Sequence, residues 1–82
     1  MSEGRIETVK GACVVALVRY LMDRFAVPME DAFIRLLGTE LYALLMDTET
    51  RLFMEPNSFL VRCCEMELVQ GKAALYDLIA VD

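Results

Sequence analysis

The chain has 82 residues, of which 57% are apolar, with a mean hydropathy of +0.45 and 13 acidic side chains against 8 basic ones. That length suits one domain with one core, and the apolar share exceeds the ~45–50% of ordinary soluble domains, so apolar surface is left over for a homodimer or a protein partner. The net charge of −5 repels phosphate backbones, and the absence of histidine excludes Ser-His and Cys-His nucleophile activation and any His-containing metal site.

Residues 1–4 read as a frayed end, and from Arg5 to about Phe25 the pattern is helical. Ile6, Val9, Cys13, Leu17, Tyr20 and Leu21 recur at three or four, and so do Val14, Val18, Leu21 and Phe25. Between Ala12 and Val18 this helix is apolar almost all round, as in a helix central to its core or shared between subunits. Arg5, Lys10, Arg19, Asp23 and Arg24 make its narrow wet face. Ala26-Val27-Pro28 breaks the chain, and Pro28 opens a second helix with Glu30 and Asp31 in its first turn. There Met29, Ala32, Phe33, Leu36 and Leu37 form an apolar stripe, and Asp31 and Arg35 are spaced for a surface pair. Gly38 is expected as a left-handed cap and Thr39 as the N-cap of a short third helix, about 40–46, with Leu41, Leu44 and Leu45 inward.

Asp47-Thr48-Glu49-Thr50 reads as a polar reversal whose side chains bond nearby backbone. The segment 51–55 is expected to run extended, with Leu52 and Met54 on one side and Phe53 on the other, because Pro56 disfavours helix at Glu55. Asn57 or Ser58 would cap a fourth helix, about 58–70, facing inward through Leu60, Val61, Cys64 and Leu68 and ended by Gly71. The tail 72–82 is open between a docked helical turn and an extended arm. The expectation is an all-α, compact, single-domain bundle over 1–82, with four helices, or five if the tail is helical, and one short extended segment near 51–55.

Little in this pattern carries chemistry. Asp47, Glu49 and Glu55 alternate as in a calcium loop, but the mid-loop glycine is missing and Ser58 stands where the closing Glu belongs. No phosphate loop, GxSxG or HExxH is present, so neither enzymatic activity nor a cofactor or metal is expected. Cys13, Cys63 and Cys64 form neither a zinc pattern nor a CxxC motif and read as small buried hydrophobes suited to a reducing cytosol. The run Gly11–Val18 is too short for a bilayer, which takes ~20 residues, and its charged flanks argue against a signal peptide, so cytoplasm is expected and a membrane is not. Six methionines favour core filling first and adaptable binding second. For partner binding the sequence singles out Phe53 and Met54 on the extended segment, with Arg51 and Arg62 as polar anchors. An alternative is a helix-turn-helix regulator built on 33–46, although its second helix has no basic residue to meet a base or phosphate.

From Asp31 to Leu68, the run DAFIRLLGTELYALLMDTETRLFMEPNSFLVRCCEMEL resembles a group of short, uncharacterised bacterial proteins of anaerobic gut bacteria. Their pattern is an EA-containing helix, a short YxLL helix, a D-x-E-T turn, an aromatic strand-like segment and a last helix ending in E-L or E-I. Here those elements are Asp31-Ala32, Tyr42-Ala43-Leu44-Leu45, Asp47-Thr48-Glu49-Thr50, Leu52-Phe53 and Glu67-Leu68. The similarity spans about half the chain and departs at Asp31, where the family has Glu, and at Gly38-Thr39, where its junction is more polar. Some of those proteins sit beside ADP-ribosyltransferase-like toxins, so the resemblance implies an accessory or antitoxin-like binding role.

Overall fold

The computed structural model describes residues 3–81. Five helices follow in order: α1 Glu3–Phe25, α2 Met29–Leu37, α3 Glu40–Met46, α4 Asn57–Gln70 and α5 Lys72–Val81. Helix begins at Glu3, inside the stretch expected to fray; residues 1 and 2 lie outside the described residues. α1 is the central element, packed against α2 and α4, and α5 folds back on α4. No strand occurs among the described residues. The radius of gyration is 12.2 Å, close to the ~12 Å of a compact chain of this length.

The core is built on the α1 stripe. Cys13, Leu17, Val18 and Leu21 meet Ala32 and Leu36 of α2, Leu41 and Leu45 of α3, Leu60, Cys63 and Cys64 of α4, and Leu75 of α5. α1 ends where Ala26 takes the left-handed conformation (φ 52°), letting the Val27 N–H reach back to the Met22 carbonyl at 3.2 Å. A non-glycine residue there is strained by about 1–2 kcal/mol. Pro28 does not form the first residue of α2 but stands just before it as the extended N-cap (ψ 165°), its carbonyl accepting from the Ala32 N–H at 3.1 Å.

The α2–α3 junction closes differently from the expectation. Gly38 is right-handed (φ −85°), and α2 tightens into short bonds from Gly38 N–H to Arg35 O and from Thr39 N–H to Leu36 O. Those bonds satisfy the last carbonyls, so no left-handed residue is needed. Thr39 does cap α3: its hydroxyl oxygen accepts from Tyr42 N–H at 3.1 Å and donates to Leu36 O at 2.7 Å. The other end of the chain helps. Glu67 of α4 accepts from Glu40 N–H at 2.8 Å and Leu41 N–H at 2.9 Å. A two-turn helix cannot persist alone, and this carboxylate anchors its positive end.

Segment 51–55 is not extended. Two 3₁₀ turns, Thr48–Thr50 and Leu52–Met54, are joined by Arg51 in the left-handed region (φ 57°). Strand-like alternation would have pointed either Leu52 or Phe53 outward. The tight turn buries both, each worth roughly 1.5–3 kcal/mol, and sends Met54 to solvent. Only Glu55 is extended, as proline sterics require. α4 starts at Asn57 behind Pro56 with no side-chain cap, so neither Asn57 nor Ser58 acts as one. Its buried face is Leu60, Cys63 and Cys64, with Val61 half-buried and Leu68, expected inward, exposed. Gly71 ends it at φ 92°, as expected, and lets the tail enter α5 directly. α5 docks through Leu75, with Leu78 and Ile79 half-buried against the core, which decides between helix and arm.

Candidate functional site

Two surfaces compete for a functional role, the hinge over residues 47–56 and the face between α1 and α2. The hinge is consumed by the fold. Asp47 Oδ1 accepts from Glu49 N–H at 3.0 Å, and the Thr50 hydroxyl lies 2.6 Å from Leu44 O and 2.9 Å from Asp47 O. Lys10, expected on the wet face of α1, is 4% exposed and reaches into the hinge. Its ammonium donates to Met46 O at 2.9 Å and Thr48 Oγ1 at 2.8 Å, sits 3.9 Å from Glu7, and lies 5.7 Å from the centre of the Phe53 ring. A cation at the carbonyl end of α3 is where the helix dipole favours one. The α1 pattern held no signal for this, because the partners of Lys10 lie 36 and 38 residues away.

The four partner-binding candidates therefore separate. Phe53 is 6% exposed and belongs to the core, with its carbonyl 3.8 Å from the Cys13 sulfur, so its ring presents nothing to a partner. Met54 is 62% exposed, and Arg51 and Arg62 are exposed as well. Arg62 borders a shallow hollow of about 140 Å³ on α4 with Glu65, Met66, Val69 and Gln70.

The larger feature lies on the other side of α1. A groove of about 710 Å³ runs between α1 and α2, floored by Val14, Val18 and Met22 and walled by Val15, Met29 and Phe33, with Arg19 and Glu30 at its rim. Val15 is 53% exposed, Met29 65% and Phe33 40%; Ile34 and Leu37 continue the apolar surface along α2. At 100° per residue the apolar positions of α2 sweep roughly 200°, about twice the stripe a surface helix needs. Ala32 and Leu36 take the core half, and the rest faces outward. Arg35, expected to pair with Asp31, instead lays its guanidinium over the Phe25 ring, 4.5 Å from the centroid, at the α1 end of this face.

No reactive thiol serves either surface. Burial pushes the Cys64 thiol up to about 11, and Cys13 is raised for the same reason, so neither supplies a thiolate near neutral pH. Tyr20 donates to Glu65 at 3.2 Å and Tyr76 to Glu40 at 2.6 Å, tying α1 to α4 and α5 to α3. Among the described residues, no group of three or more His, Cys, Asp or Glu side chains is placed to hold a metal ion. None of the helices is long and apolar enough to cross a membrane. No family model, curated protein or solved structure matches this chain. The functional reading therefore rests on the surface itself.

Proposed function

We propose that this protein is a small helical interaction module, working in the cytoplasm, that covers apolar protein surface through the α1–α2 groove. The observation that carries the reading is the apolar groove itself, in which Val15, Met29 and Phe33 are left exposed beside the core residue Val18. Contiguous exposed apolar surface rimmed by charge marks interaction sites in proteins of this size. Met29 and Met22 add adaptable side chains of the kind used where one surface must fit another. The role implied for such a module is to self-associate or to mask a partner, with no chemistry of its own. Against a helix-turn-helix reading, the N-terminal N–H groups of α3 are already bonded to the Glu67 carboxylate, which occupies the place a phosphate would take.

Site-specific photo-crosslinking in cells tests the reading. A photoreactive residue at Val15 should yield covalent adducts with protein, and the same residue at Met54 should not. Adducts from Met54 alone would move the working surface to the hinge and overturn the assignment of the groove.

A further inference from the structure

We infer that the occupant of the groove is the same groove of a second copy. Two α1–α2 hairpins, related by a two-fold axis running along the groove, close a four-helix core in which Arg19 of one copy lies against Glu30 of the other. This rests on the groove being an interaction surface and names what it takes.

Charge distribution carries the choice of occupant. Residues 1–37, which hold α1 and α2, carry five basic and five acidic side chains. Residues 38–82 carry three basic and eight acidic ones, so the whole net charge of −5 sits in the second half. Two copies meeting through α4 and α5 would set the acidic halves against each other. Meeting through α1 and α2 joins two neutral faces and keeps the acidic surfaces apart. A strongly charged partner would find no net field at the groove to draw it there.

The rim of the groove is also self-complementary. Arg19 stands on the α1 wall and Glu30 on the α2 wall, both exposed. A two-fold axis along the groove places the α1 wall of each copy opposite the α2 wall of the other, as an isologous interface requires. α1 and α2 are joined by a three-residue turn and pack against each other, so the facing helices of the two copies would run in opposite directions, as neighbours in a four-helix bundle do. Val15, Met29 and Phe33 then fill the seam. A small ligand fits this groove less well, since it is open along one side and its charged residues lie at the rim, with no buried polar group to orient a bound molecule.

The experiment is sedimentation equilibrium of the full chain from about 10 µM to about 1 mM, the range in which a modest interface is half-occupied. Wild type should approach twice 9.3 kDa. Arg19→Glu and Glu30→Arg each set two like-charge pairs across the axis and should weaken association about tenfold, with the helical circular dichroism unchanged. Mixing the two variants restores both pairs, so the equimolar mixture should regain the dimer that neither forms well alone. A wild type that stays monomeric throughout, or single reversals that leave association unchanged, would overturn the proposal. If wild type is monomeric yet Val15 crosslinks to a different protein in cells, the second copy is refuted while the groove remains the interaction surface. If Val15 crosslinks to nothing, both fail.

Discussion

The hinge and the groove make opposite use of their residues. The hinge is rich in polar side chains, and half of them are spent on the fold: Asp47 and Thr50 hold the turn, and Thr48 takes the Lys10 ammonium that ties it to α1. The groove is made of the aliphatic and aromatic residues that usually disappear into a core, and it stays open because α2 has an apolar arc wider than one neighbour can cover. Polar composition marks a loop, but it does not mark a site. In so small a domain the better signal is apolar surface that packing cannot use up.

Two phenylalanines put that contrast to its hardest test. Phe53→Ala should cost about 3–5 kcal/mol of unfolding free energy, because its ring is buried against Lys10 and α1. Phe33→Ala, on the groove wall, should cost only about 1 kcal/mol in the monomer while weakening association. Urea titration at low protein concentration measures both. Equal losses would mean the groove is as much a part of the core as the hinge.

Lys10→Met comes next. It keeps the buried stem but leaves the Met46 carbonyl and the Thr48 hydroxyl without their charged donor, at a cost of about 2 kcal/mol. A stability equal to wild type would show that the ammonium is not what closes the hinge. Glu67→Gln retains one acceptor for the two N–H groups at the start of α3 and loses the charge facing the helix dipole. The expected cost is about 1 kcal/mol, with faster amide exchange confined to α3.

The last effect is silent at neutral pH and appears only in alkali. The Cys64 thiol is held up to about 11 by burial, against 9.0 when exposed, so the unfolded chain loses this proton before the folded one does. Stability is therefore unaffected below pH 9 and falls as pH rises from 9 toward 11. Urea midpoints at pH 8 and pH 10.5 would reveal the fall, and Cys64→Ala should flatten it; an identical slope in that variant would assign the loss to other groups, such as Tyr20 and Cys13, which shift the same way.

Much of the fold was legible in the chain because its cues are local. Pro28 and Pro56 restrict their predecessors sterically, Thr39 caps by a bond three residues long, Gly71 supplies a conformation few residues tolerate, and the α1 stripe repeats at helical spacing. Misreadings arose where local cues were ambiguous or outvoted. Leu52-Phe53-Met54 looks strand-like, yet burying two adjacent side chains is worth more than alternation. Gly38 looks like a left-handed cap, yet short bonds had already satisfied the carbonyls it would have served. The candidate surface was half legible: the apolar surplus predicted an interface somewhere and the all-round apolar stretch Ala12–Val18 left a shared helix open, while Phe53 went to the core and Met29 and Phe33 showed only an apolar stripe with no sign of which half stays uncovered.

By itself, then, the sequence determined an all-α chain with breaks at 26–28, 38–39, 47–56 and 71, and with more apolar side chains than one small core can hold. Helical periodicity and the steric demands of proline and glycine act over three or four residues and need no knowledge of the rest of the chain. Only the tertiary structure decided which apolar residues were left over, and which charges were not surface at all. Lys10 became a buried fastener and Glu67 a half-buried one because the ends of α3 came to them. Val15, Met29 and Phe33 became surface because α3, α4 and α5 all packed against other faces of α1 and α2 or against one another. Whether a residue is covered depends on every element that could cover it, and that choice is made only when the chain has closed.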